Sequence, residues 1–160
     1  MKKIILLVSF LFGYFLTQAQ IVNIPDPIFK AVLLNHSPVI DINNDNEIQL
    51  SEALNTTTME VISSMGIITD TTGLNAFTNL TSLRINFATI NTIDVSNLIN
   101  LQHLNLHENN LTSLSVAGLT NLQTLVCSSN QLNSVDVSGL NNLVLLDFSN
   151  SSISNFIHTG

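Results

Sequence analysis

From Leu80 onward the apolar residues fall on a lattice with a period of 21 residues. Leu80, Leu101, Leu122 and Leu143 open four successive steps, and Leu83, Leu104, Leu125 and Leu146 follow three residues later. Five residues on stand Ile85, Leu106, Cys127 and Phe148; ten on stand Ile90, Leu111, Leu132 and Ile153. Ile93, Leu114, Val135 and Phe156 come next, and the first three steps continue through Val95, Val116 and Val137 to Leu98, Leu119 and Leu140. A fixed period of this length marks a repeat architecture. Alternation around each L-x-L predicts one short strand per repeat, with the leucines on its inner side. The strands stack in parallel, and because no repeat can enclose its own apolar face, the core forms only between neighbours. Met59, Ile62, Ile68, Leu74 and Phe77 predict an earlier, slightly longer repeat.

Upstream the period changes. Asp26 is placed to cap a helix whose first residue is Pro27, the preferred site for proline. Ile28, Phe29, Val32 and Leu33 form its apolar stripe, and Asn35 with Pro38 ends it. A second short helix is expected from Ser51-Glu52, fading into Thr56-Thr57-Thr58. The two helices would cover the edge of the first repeat. The chain thus divides into a leader over 1–19, a helical cap over 20–58, and repeats over 59–160, incomplete at the C-terminal end.

The spacing L-x-x-L-x-L-x-x-N-x-L, read at Leu101, Leu104, Leu106, Asn109 and Leu111, resembles the leucine-rich-repeat family. Val135-Asp136-Val137-Ser138 resembles the second half of its bacterial 21-residue subclass, and the helical segment resembles the caps of internalin-like proteins. The resemblance implies a right-handed solenoid with a parallel sheet on its concave face. Asn109 and Asn130 hold the family's asparagine position, where an inward amide satisfies backbone groups at the bend. Ala88 and Ser151 depart from it, so the outer turns are expected to be looser. Cys127 falls in an inward column, which makes it a small buried hydrophobe rather than a reactive thiol.

Residues 41–52 resemble the twelve-residue EF-hand loop. The resemblance implies calcium, with Asp41, Asn43 and Asp45 giving side-chain oxygens, Glu47 its carbonyl, Gln49 a water-mediated contact and Glu52 a bidentate closure. Asn46 stands where the family has glycine, a position that asparagine tolerates in the left-handed conformation. Calcium here would hold the cap rather than take part in chemistry.

Lys2, Lys3 and the apolar run Ile4–Leu16, followed by Thr17-Gln18-Ala19, form a secretory signal expected to be cut after Ala19. The run is too short to anchor in a bilayer. Its removal leaves Lys30 and Arg84 against 11 carboxylates, a formal −9. Such a surface repels nucleic acids and anionic membranes. One cysteine, Cys127, excludes an internal disulfide.

The outward positions of the strands read Ser82, His103, Thr124, Leu145; Arg84, Asn105, Val126, Asp147; Asn86, His107, Ser128, Ser149; and Phe87, Glu108, Ser129, Asn150. Arg84, Phe87, His103, Asn105, His107 and Glu108 form a mixed patch suited to a ligand. His103 and His107, about 13 Å apart on an extended strand, cannot share one zinc ion. No Ser-His-Asp arrangement, carboxylate pair or phosphate loop is legible, so no enzyme is expected. The family implies an exported binding module for a protein or glycan, with no membrane span. The alternative is a spacer or accessory arm of a larger secreted protein, such as a hydrolase. A fourth repeat that fails after Phe156 implies either a longer parent protein or self-association through its open edge.

Overall fold

The computed structural model describes residues 20–62 and 66–157. The expected signal peptide lies outside the described residues. Helix α1 spans Pro27–Leu34 and α2 spans Leu50–Asn55. The strands are β1 (Thr58–Ile62), β2 (Ser82–Asn86), β3 (His103–Asn105), β4 (Thr124–Val126), β5 (Ser134–Asp136), β6 (Leu145–Asp147) and β7 (Asn155–Ile157). Five of them form one parallel sheet in the order β1-β2-β3-β4-β6, and β5 pairs with β7 in a second.

The lattice in the sequence is the register of the sheet. Leu83 lies beside Leu104, Leu104 beside Leu125 and Leu125 beside Leu146. The first step is longer, since Met59 pairs with Leu83. Leu80, Leu101, Leu104, Leu106, Leu122 and Leu125 are fully buried. Each such side chain contributes about 1.5–3 kcal/mol, which makes this column the main source of stability. The spacing Val95-Leu98-Leu101 has its own cause: Leu98 N donates to Val95 O and Leu101 N to Leu98 O. These tight three-residue turns return an apolar side chain to the core at every third position. The same pair of bonds recurs at Val116-Leu119-Leu122 and Val137-Leu140-Leu143.

Three expectations are corrected. Ile62 is exposed, and Val61 takes the inward place. The longer first coil shifts the spacing, and β1 buries alternate residues from Met59. The first turn is not loosened by Ala88, because Asn109 Nδ2 of the next coil reaches back to the Ile85 carbonyl at 2.8 Å. At the other end, Ser151 Oγ meets the Cys127 carbonyl only at 3.5 Å. Finally, Phe156 sits on the lattice yet is exposed, with its ring 5.6 Å from Phe148. The β5–β7 sheet on the return side of the coil is an addition that the pattern did not predict.

Two asparagine ladders run along the coils. In the expected one, Asn130 Nδ2 donates to the carbonyls of Leu106, Cys127 and Ser128, while its Oδ1 accepts from Leu111 N. The second uses Asn79, Asn100, Asn121 and Asn142, whose amides donate to the carbonyls of Leu54, Thr78, Ile99 and Thr120 in the preceding turn. The 21-residue recurrence of Asn before each opening leucine was its sequence signal.

At the N-terminal end, Asp26 caps α1 as expected, accepting from Ile28 N and Phe29 N with Oδ1. Its other oxygen accepts from Thr69 N, Thr69 Oγ1 and Asp70 N, tying the helix to the first coil. Helix α2 begins one residue earlier than Ser51, under a reciprocal Gln49–Glu52 capping box. The chain before α1 crosses Gly73, whose φ is +100 and where a Cβ would stand 2.7 Å from the Asn23 carbonyl. Only glycine fits there.

Candidate functional site

The segment 41–52 folds back on itself. Asn44 and Asn46 both adopt left-handed conformations, φ 56 and 65, so asparagine serves at the glycine position. Asp41 accepts from Asp45 N and Asn46 N. Glu52 accepts from Ile42 N and Asn43 N with one oxygen and from Gln49 N with the other. Asn43, Asp45 and Gln49 touch through their side chains: Asn43 Nδ2 reaches Asp45 and Gln49, and Gln49 Nε2 donates to Asp45 at 2.7 Å. Led by the Gln49 bond, these contacts hold the Asp45 carboxyl below its ordinary range. Glu47 pairs its carboxylate with Lys30 at 2.7 Å.

The donor set fits calcium in kind, since every candidate ligand is a hard oxygen. Asp41 and Glu52 are buried and form no ion pair with Lys, Arg or His among the described residues. Their carboxylates are not gathered, however: among the described residues no three His, Cys, Asp or Glu side chains lie close enough to hold one ion.

On the concave face, Arg84 is half-exposed and bound at 2.8 Å to Glu60 of β1, a partner that the first coil's 24-residue step hid. His103 is exposed, and Asn105 is half-buried, its Oδ1 accepting from His107 N. Phe87, Glu108, Ser129 and Asn150 share one column, all with positive φ between 51 and 59. Holding a side chain there costs about 1 kcal/mol. Phe87 is 54% exposed, with its ring perpendicular to His107 at 5.8 Å.

In the column before it, Ser149 is exposed as expected but the other three residues are not. Asn86 and Ser128 are buried and His107 is half-buried, because the left-handed turn that follows swings these side chains against the neighbouring coil. The turn also brings together a triad that the sequence did not reveal. His107 Nδ1 lies 2.9 Å from Ser128 Oγ, and its Nε2 lies 3.3 Å from Glu108 Oε1. Asp147, whose carboxyl is held low chiefly by Ser149 N and in part by Ser128, accepts the hydrogen bond of the Ser128 hydroxyl. Ser128 is only 3% exposed, so its hydroxyl faces these partners rather than solvent. The chain Glu108–His107–Ser128–Asp147 is a strut across three coils.

The cleft at the N-terminal end of the face, lined by His36, Glu60, Ser82 and Arg84, measures about 250 Å³. That is below the roughly 300–1,000 Å³ of small-molecule sites. Cys127 is enclosed as expected, and burial together with Asp147 pushes its thiol up to about 12.

Neither protein-family models nor curated proteins match the sequence. Solved structures do. An internalin, InlF, of Listeria monocytogenes matches with a TM-score of 0.63 and 19% identity, over 87% of this chain and 48% of that one. The functional domain of InlJ from the same organism gives 0.53 and 27%, over 85% and 34%. Internalin C2, also from Listeria monocytogenes, gives 0.51 and 18%, over 90% and 98%. The fold is that of an internalin-like leucine-rich-repeat solenoid. The solenoid spans about half of InlF and a third of the InlJ domain. No helix among the described residues is long and apolar enough to cross a membrane.

Proposed function

We propose that the solenoid is an exported binding module whose concave face docks a protein or glycan. The observation that carries this is Phe87. A bulky apolar ring, 54% exposed, follows β2 at the left-handed position that the other coils fill with Glu108, Ser129 and Asn150. The backbone conformation is common to all four coils, so what sets the first apart is an exposed aromatic ring where the others carry polar side chains, the kind of anchor that interfaces favour. Around it, Arg84 with Glu60 and Glu108 with His107 provide oriented polar groups, while His103 and Asn105 extend the surface along β3. Immobilised protein challenged with glycan and extracellular-protein arrays should retain a ligand that Phe87→Ala with Glu108→Ala abolishes. A ligand indifferent to both substitutions would move the site elsewhere.

Calcium in the 41–52 loop is a second part of the same reading, favoured by the buried, cation-free Asp41 and Glu52. Bound there, the ion would neutralise these carboxylates with Asp45 and fix the segment between the two helices. After chelation, titration with calcium chloride should show one site, and Glu52→Gln should weaken it at least roughly tenfold, with the melting temperature rising by mass action. Melting indifferent to millimolar calcium would leave the loop as a hydrogen-bonded hinge.

A further inference from the structure

On the return side of the first two coils, a cleft of about 280 Å³ is lined by Asp70, Thr71, Thr72, Asn75, Thr92 and Asp94. The protein's own hydrogen bonds hold both carboxylates in place. Asp70 Oδ1 accepts from Thr72 N and the Thr72 hydroxyl, and Asp94 Oδ1 accepts from Ser96 N. The Ser96 amide and hydroxyl, with Asn75, keep the Asp94 carboxyl below its ordinary range. Neither acid forms an ion pair among the described residues, where Lys30 and Arg84 are already paired with Glu47 and Glu60. Two further groups on the wall lack partners. Thr71 is 8% exposed, yet its hydroxyl takes no hydrogen bond among the described residues. Asn75 gives its amide to Asp94, while its Oδ1 is buried with no hydrogen-bond partner among the described residues. Buried hydroxyls and amides are nearly always paired, so these two point to an occupant.

We propose that this cleft binds a hydrated calcium ion between Asp70 and Asp94. The unspent atoms, Asp70 Oδ2, Thr71 Oγ1 and Asn75 Oδ1, are all oxygens, the donors that calcium takes. A sugar could use the same acceptors but would leave two carboxylate charges uncompensated, in a chain of formal −7. With only two acids, several of the roughly six to eight ligands are water, and at ~30 Å³ each they fit the cleft. The ion ties the first coil to the second close to α1, since Asp70 N already donates to the helix cap Asp26. The cleft shares no residue with the 41–52 loop, so the two sites fill independently.

Amide NMR of the protein during titration with calcium chloride tests this residue by residue. The signals of Asp70, Thr71, Thr72, Thr92 and Asp94 should shift together and saturate with a midpoint of about 0.1–1 mM, as in extracellular modules. Asp70→Asn keeps the acceptor for Thr72 N and should raise that midpoint roughly tenfold or more, by removing ligand charge. Asn75→Asp supplies a third carboxylate and should lower it. Glu52→Gln should leave these five signals responding as in the parent, which separates the cleft from the loop. Signals that stay still at about 10 mM calcium, well above that range, would overturn the proposal. So would an equal response to sodium chloride at matched ionic strength, or a midpoint that neither Asp70→Asn nor Asn75→Asp moves.

Discussion

Asp26→Ala should lower the unfolding free energy by about 4 kcal/mol, a substantial part of the roughly 5–15 kcal/mol that holds a domain together. The side chain is 8% exposed and serves four backbone amides, two in α1 and two in the first coil. Removing it leaves donors unpaired on both sides of a junction, each costing about 1–3 kcal/mol where water cannot replace the bond. Asp26→Asn should do little better, since the new amide nitrogen would face donors. The effect also depends on pH. Burial pushes the carboxyl up, but the amides of Phe29, Thr69, Asp70 and Ile28 outweigh it and hold the folded value below the ordinary 3.8. The stabilisation is therefore complete above 3.8 and is lost as pH falls through the lower folded value. In denaturant titrations the gap between parent and variant should narrow below that pH. A constant gap down to strong acid would mean that Asp26 acts by shape alone.

Asn130→Ala should cost about 3 kcal/mol, and Asn109→Ala measurably less. Both amides donate to buried carbonyls in two adjacent coils. Asn130 also accepts from Leu111 N, whereas Asn109 Oδ1 is buried with no hydrogen-bond partner among the described residues. An unpaired acceptor already imposes part of the penalty on the parent, so deleting Asn109 removes a cost along with its benefits. Chemical denaturation of the two variants measures the difference, and equal losses would show that the Leu111 bond contributes nothing.

The repeats were legible because burial in a stacked coil recurs at the same offset, so Leu104 and Leu125 mark the register without any structure. The first helix was legible for a different reason: Asp26-Pro27 is local, and local chemistry is written in adjacent residues, whereas the second was expected to start late because Gln49 was read as a calcium contact and not as a cap. What joins the first helix to the repeats was not legible. The reach from Asp26 to Thr69 spans 43 residues, and nothing in either segment names the other. Likewise, the spacing placed His107 and Ser128 in one column but could not show that a left-handed residue turns that column inward. Val61 was missed because a first step of 24 breaks the count that worked elsewhere. The mixed composition of the outward strand positions was legible, while their pairing, Arg84 to Glu60 and His107 to Ser128, depends on which coils are neighbours.

The repeated junction has a consequence for the length of the chain. Each coil receives the next through the same three contacts: a backbone carbonyl ahead of the strand, an inward leucine and an asparagine amide behind the opening leucine. A whole coil can be lost or duplicated without changing any junction, because what remains on either side still matches. One extra residue in a strand cannot, since it would send every following side chain to the opposite face. Length variation in such a molecule is thus quantised. Related chains should differ by whole repeats among the 21-residue coils, and by other numbers before α1 or in the first coil, whose step is already 24.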